Sequence, residues 1–163
     1  MTISNNKPDI KFLFSHAAHL LALGFGTGLS PRAPGTVGTL LGFPLFWLLS
    51  SLPPIMFTAA LILLFVIGIW ACDKTGRDLG VSDHGAIVWD EVVAFAFVLD
   101  FAPHTMLWFA TAFGLFRLFD IRKPFPIGYV DRTVKGGFGV MLDDLLAAVY
   151  AAIVLMIIVF VVG

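Results

Sequence analysis

From residue 33 to residue 72 the chain runs for 40 positions without one Asp, Glu, Lys or Arg, and Pro53-Pro54 stands at the middle. Proline interrupts a helix but starts one well, so the pattern predicts a helical hairpin with limbs over about 40–52 and 55–72. Crossing a hydrocarbon core of about 30 Å takes roughly 20 helical residues at about 1.5 Å each. Each limb is long enough to cross or nearly cross, which places the flanking charges on one membrane face.

Residues 92–116 are again apolar, but Asp100, Pro103 and His104 interrupt them near the centre. As a single crossing the segment would hold Asp100 near mid-membrane, at an insertion cost of about 2.5–3.5 kcal/mol, and would put Asp90-Glu91 on the opposite side from Arg117 and Asp120. A hairpin turning at 100–104 keeps the two clusters together. Its limbs, about 10–12 residues or roughly 15–18 Å, are too short to span unaided and so are re-entrant or packed on protein. The hairpin is the expected form. Leu145 to Gly163 adds 19 uncharged residues, a credible spanning helix. The predicted fold class is all-α: a polytopic membrane helical bundle with helical hairpins and interfacial loops. It forms a single domain over 12–163 behind a flexible polar tail at 1–11.

Composition supports the membrane class. The chain is 59% hydrophobic and 13% charged, against about 45–50% and about 25% in an ordinary soluble domain. A net charge of −1 supplies no basic field for nucleic acid. Cys72, the only cysteine, allows no intramolecular disulfide; a Cys-x5-Arg phosphatase loop would need Arg at 78, where Asp78 stands. Cys72 reads as core packing. Lys7 and Lys11 ahead of FLFSHAAHLLALGFG imitate a signal peptide, but His16 and His19 break the apolar run, so this segment is expected to be retained.

The charges are concentrated. Nine of the 10 basic and 11 acidic residues fall within 117–144. Arg117, Asp120 and Lys123 recur every three residues, along one side of a helix that Pro124 ends; this is either a shared site or a surface ladder of ion pairs. Gly136-Gly137-Phe138-Gly139 precedes a helix whose first turn is expected to carry Asp143-Asp144, either as acids suited to the helix dipole or as ligands for a hard cation. Adjacent helical side chains diverge by about 100°, so only one of that pair is expected as an inner ligand. Asp90-Glu91 is flanked by apolar residues on both sides, which favours a metal-ligand or general-base role over capping. Asp83-His84 could shuttle protons, although a lone loop histidine is more often structural.

Residues 24–42, GFGTGLSPRAPGTVGTLLG, hold one cation, Arg32, among glycines and hydroxyls that include Thr27 and Thr36. Such a segment can offer backbone N–H groups to phosphate or let helices approach closely. It contains neither nucleotide-binding glycine motif.

Taken together, GTGLSPRAPGTVGTL at 26–40, DHGAIVWDE at 83–91, FRLFDIRKPFPI at 116–127 and DRTVKGGFGVMLDD at 131–144 resemble the phosphatidylglycerophosphatase A family over nearly the whole chain. The resemblance implies an all-helical, Mg²⁺-dependent lipid phosphatase of the bacterial inner membrane, acting at the cytoplasmic face to convert phosphatidylglycerophosphate to phosphatidylglycerol. On this reading Asp90, Glu91, Asp120, Asp143 and Asp144 are candidate Mg²⁺ ligands, with Asp90, Glu91, Asp120 and Asp144 the catalytic acids and bases. Arg117, Lys123, Arg132 and Lys135 are candidate phosphate clamps, and Thr27, Arg32 and Thr36 further substrate contacts. Asp131 is the weakest acid candidate. Val93-Ala94 departs from the glycine that tends to follow the acid pair. Attack by water is preferred over an acyl phosphate, because the Asp-x-Asp of aspartyl phosphatases is absent: 131–133 reads Asp-Arg-Thr. The rival from another class is a membrane transporter with an acidic ion site; it predicts acids deep in the bilayer, whereas here only Asp100 lies away from a segment end. A lipid phosphatidyltransferase lacks its spaced aspartate pattern. Oligomeric state is left open.

Overall fold

The computed structural model describes residues 7–162, and among them the chain is entirely helical: nine α-helices, one 3₁₀ segment and no strand. Two short helices come first, α1 (Ile10–Ser15) and α2 (Ala17–Ala22). Asp9 caps α1, accepting from Phe12 N–H at 2.8 Å, and His16 Nδ1 caps α2, accepting from Ala18 N–H at 3.0 Å. Ile10 and Lys11, expected in the tail, thus form the first turn of α1; residues 1–6 of that tail lie outside the described residues.

A 3₁₀ segment (Gly24–Leu29), kinked at Phe25 and Gly26, leads to α3 (Pro34–Leu40) and α4 (Gly42–Leu49). Pro34 and Pro54 each open a helix, where a missing N–H costs nothing. The first limb of the predicted hairpin therefore starts earlier than residue 40 and is two short helices set end to end. Together they run about 24 Å, short of the about 30 Å core. The second limb, α5 (Pro54–Leu79, 26 residues), crosses easily and runs past residue 72, because Arg77–Asp73 (2.7 Å) and Lys74–Asp78 pair along its surface. Gly80 ends it at φ 75°, with Gly80 N–H to Arg77 O at 3.1 Å and Val81 N–H to Gly76 O at 3.0 Å, a glycine-dependent helix stop.

Helices α6 (Trp89–Leu99) and α7 (Met106–Arg122) form the second hairpin, turning at 100–105 as predicted. The hairpin is deeper than a shallow re-entrant loop. His104 packs 5.8 Å from the Phe46 ring and 6.4 Å from Trp47, and Asp100 and Phe101 line a cavity with Phe57 and Thr58 of α5. Its turn therefore lies level with the α4–α5 turn. At 17 residues, α7 also outruns the expected limb.

After α8 (Ile127–Thr133), α9 (Gly136–Val162) begins nine residues ahead of the predicted spanning run and packs against α5, α6, α7 and α8. The α5–α9 approach depends on missing side chains. A Cβ at Gly137 would strike the Ile69 carbonyl and Asp73, and one at Gly68 would meet Met141 and Trp89. Helices α5 and α9 are long and apolar enough to cross a membrane. Ile62, Leu63, Val66, Ile153 and Ile157 stand exposed on their outer faces, a surface that belongs in lipid. Cys72 is fully buried, 3.9 Å from Met141 Sδ, in the packing role expected.

Candidate active site

The glycine segment helps to position the acids. A Cβ at Gly28 would strike the Ala86 carbonyl, and at Gly24 or Gly38 the Val88 side chain; Val88 N–H also bonds Ala22 O at 2.9 Å. These contacts pin 86–88, the approach to α6. His84 Nδ1 accepts from Ala86 N–H at 3.1 Å, a structural role. Trp89 Nε1 donates to Leu64 O at 3.3 Å, so α6 begins well inside the bundle, about 8–13 Å along α5 from Asp73. Asp90 and Glu91 follow in its first turn, where the helix dipole favours acids.

Glu91 faces α3 and α7. Its Oε1 accepts from Arg117 Nη1 at 3.0 Å, and Arg117 also donates to Asp120, one helical turn on. Thr39 joins the same network: its Oγ1 donates to Gly35 O at 2.8 Å, accepts from Arg117 Nη1 at 3.4 Å and lies 3.5 Å from Glu91 Oε2. A Cβ on Gly35 would collide with the Glu91 carboxylate. Sequence reasoning singled out Thr27 and Thr36 and missed Thr39, although its helical spacing from Gly35 was visible in GTVGT.

Asp144 completes the centre from α9. Glu91, Asp120 and Asp144 each present a carboxylate oxygen, all within 4.8 Å of one another. Asp120 and Asp144 are buried, and so is Asp90. Asp144 Oδ2, Asp90 Oδ1 and the Arg117 Nε are buried without a hydrogen-bond partner among the described residues. Three converging acids answered by one guanidinium, with an Asp144 oxygen left free, are a costly arrangement for the protein alone. They fit a hard divalent cation, which takes oxygen ligands and leaves room for water and phosphate. The helix dipole does not account for Asp143 and Asp144: α9 starts at Gly136, so they sit two turns in, beyond the first turn where it acts.

Asp143 lies apart from the three. It accepts from Lys123 Nζ at 2.6 Å, and the same ammonium reaches Asp131 Oδ1 at 2.9 Å. As expected from their angular divergence, the adjacent aspartates divide: one faces the centre, the other braces a cation. Lys123, the left-handed C-cap of α7 (φ 44°), is consequently held and not a free clamp. Lys135 donates to Asp131 O at 2.9 Å. Thr27 donates to Gly24 O at 2.9 Å. Arg32 and Arg132 are exposed and Thr36 is half-buried; among the described residues no hydrogen bond joins any of these to the centre.

For Lys123 burial lowers the ammonium's pKa, but Asp143 and Asp131 outweigh it and the net shift is upward. The centre gathers three carboxyls around one strong cation, Arg117, with a donor to spare.

Comparison with known proteins gives a consistent picture. A phosphatidylglycerophosphatase A of Haemophilus influenzae is 48% identical over 157 residues, covering 93% of this chain and 94% of its own. The phosphatidylglycerophosphatase A of Escherichia coli is 42% identical over 156 residues, covering 93% and 91%. A protein of Bacteroides thetaiotaomicron described as a putative phosphatidylinositol-3-phosphatase is 41% identical over 152 residues, covering 88% and 94%. No solved structure shows a match. The family model for phosphatidylglycerophosphatase A matches residues 20–159, a span that holds every acid of the centre, and the chain belongs to that family.

Proposed function

We propose that the protein hydrolyses the phosphomonoester of phosphatidylglycerophosphate to phosphatidylglycerol and inorganic phosphate, in a Mg²⁺-dependent reaction. The observation that carries this reading is the convergence of Glu91, Asp120 and Asp144 within 4.8 Å beside Arg117. Those three would hold the cation. When bound, Mg²⁺ would supply Lewis-acid polarisation of the phosphoryl group and a lowered pKa for water. Arg117 binds the phosphate, whose charge is about −1.5 to −2 at neutral pH, through the Nε left without a partner. Asp90, outside the three and with a free Oδ1, takes the proton of the attacking water. The water oxygen bonds to phosphorus, the phosphorus–glycerol oxygen bond breaks, and the proton taken up by Asp90 is returned, through solvent, to the leaving glycerol oxygen, which departs as the hydroxyl of phosphatidylglycerol. Asp143 and Lys123 hold the α7–α9 corner that sets Asp144 against Asp120.

The basic residues lie toward the end of the bundle opposite the 50–53 and 100–105 turns, and positive charge marks the cytoplasmic side. The centre accordingly faces the cytoplasm of a bacterial inner membrane. All three relatives carry names of lipid phosphomonoesterases, with differing headgroups, so the phosphomonoester and diacyl body are the shared substrate features. Purified protein in detergent, given phosphatidylglycerophosphate and Mg²⁺, is expected to release phosphate, more slowly from phosphatidylinositol 3-phosphate, and chelator is expected to stop it. Release unaffected by chelator would sink the metal assignment. No release from folded protein would sink the reaction.

A further inference from the structure

The corner between α7 and α8 carries exposed charge and exposed aromatic surface that the proposed reaction does not use. Phe125 and Tyr129, 81% and 56% exposed, stand with their ring centroids 6.5 Å apart. Arg122 and Arg132 flank them in sequence; both are exposed, and among the described residues neither enters an ion pair. Lys123, between them and the acid centre, is held by Asp131 and Asp143.

One contact fixes the depth of this corner. The Tyr150 hydroxyl donates to Phe125 O at 3.1 Å. Tyr150 belongs to the uncharged run that begins at Leu145, and long helical side chains slant toward the N-terminus, over the preceding turn. Its hydroxyl therefore reaches the level where α9 passes from Asp143-Asp144 into apolar sequence. Phe125 sits at that boundary between hydrocarbon and headgroups. Leu118 and Ile121, also exposed, carry the apolar outer face of α7 up to the same corner.

A soluble partner does not reach a side chain at this depth, whereas the lipids around α7 and α9 touch it. Aromatic rings with a polar edge anchor at this level, and a guanidinium pairs with phosphate oxygens through two parallel donors. The net charge of −1 gives the whole molecule no attraction for anions, so selection among lipids falls to these local cations.

We infer that Arg122, Phe125, Tyr129 and Arg132 form a docking surface for the headgroups of anionic phospholipids in the surrounding leaflet, beside the acid centre but outside it. The surface concerns binding and needs no turnover, so it does not rest on the proposed reaction. Its test uses full-length protein with a bimane fluorophore on Phe125→Cys, in nanodiscs of equal parts phosphatidylglycerol and phosphatidylcholine. One lipid or the other carries bromine near the glycerol end of its acyl chains. Cys72 is fully buried, and unsubstituted protein reports any background labelling. Tyr129→Cys serves should the first variant fail to fold, and Ile153→Cys, exposed on α9 away from the corner, is the control.

Each surface Arg favours an anionic neighbour by about fivefold at low salt, so brominated phosphatidylglycerol should quench the corner at least about twofold more than brominated phosphatidylcholine. At Ile153→Cys the two lipids should quench equally. Arg122→Gln combined with Arg132→Gln should bring the corner to parity, as should high salt. Equal quenching by both lipids at the corner, with both arginines present, overturns the inference. So does quenching by neither, which would put the corner in water or under a protein partner. An anionic preference that survives the double Gln variant overturns it as well, because other groups would then supply it.

Discussion

Arg117 Nη1 lies 3.0 Å from Glu91 Oε1, although the two residues belong to opposite limbs of the α6–α7 hairpin. The hairpin exists, in functional terms, to make this contact. Had 92–116 crossed the membrane once, the pair would sit on opposite sides. Asp120, on the same face of α7 as Arg117, lies against the α9 acid Asp144, so all three helices meet in one centre.

Removing the guanidinium leaves Glu91 and Asp120 without their cation. Breaking a buried ion pair by deleting one partner costs about 3–5 kcal/mol. Arg117 and Glu91 keep 15% and 13% of their side-chain surface exposed, so Arg117→Ala should fall at the low end, about 3 kcal/mol. Phosphate release should drop at least about a hundredfold, the scale on which a single transition-state charge stabiliser acts. Arg117→Lys keeps the charge but not the fork, and should fold normally while losing most activity. Denaturant titration and single-turnover phosphate release separate the two effects; full activity in Arg117→Lys would remove Arg117 from phosphate binding.

Asp144→Asn and Asp143→Asn, one residue apart, should behave differently. The first changes one of the three converging acids, the second a brace on Lys123. A ligand that binds only the folded state stabilises it by about 2.7 kcal/mol at a hundred times its Kd. Mg²⁺ should therefore raise the melting temperature of wild type and Asp143→Asn but not of Asp144→Asn. Equal Mg²⁺ responses in both aspartate variants would show that the cation is held elsewhere.

The hairpins, the spanning α9 and the grouping of Asp90-Glu91 with 117–144 were legible because each follows from charge spacing against apolar length. Three features were not. The start of α3 at Pro34 was hidden because the glycines of 24–42 read equally as a phosphate loop and as packing residues, and the partners they admit, Val88, Ala86 and the Glu91 carboxylate, lie far along the chain. The start of α9 was hidden because Asp143 and Asp144 look like a solvated first turn, yet both are buried. Their burial is possible because Lys123 answers one and the centre takes the other. Lys123 itself, read as a clamp, is committed to Asp143 and Asp131 by the turn that follows α7, a tertiary fact that no local spacing reveals.

Gly35 and Gly137 separate placement of the site from stability of the fold. At Gly35 an added Cβ meets the Glu91 carboxylate, the movable end of a side chain; at Gly137 it meets the Ile69 carbonyl and the Asp73 backbone N, which can yield only if α5 and α9 part. Alanine at 35 also has the higher helix propensity, worth about 1 kcal/mol in α3. Gly35→Ala should therefore melt within a few degrees of wild type while its Mg²⁺ affinity and phosphate release fall, because Glu91 is pushed off its alignment with Thr39 and Arg117. Gly137→Ala should lose stability outright, by about 1–3 kcal/mol as overpacked cores do, with residual folded protein keeping near-normal Mg²⁺ affinity. Thermal unfolding and Mg²⁺ titration on both variants read the two effects independently. If Gly35→Ala binds Mg²⁺ like wild type, the glycine segment plays no part in setting Glu91, and its close packing serves the fold alone.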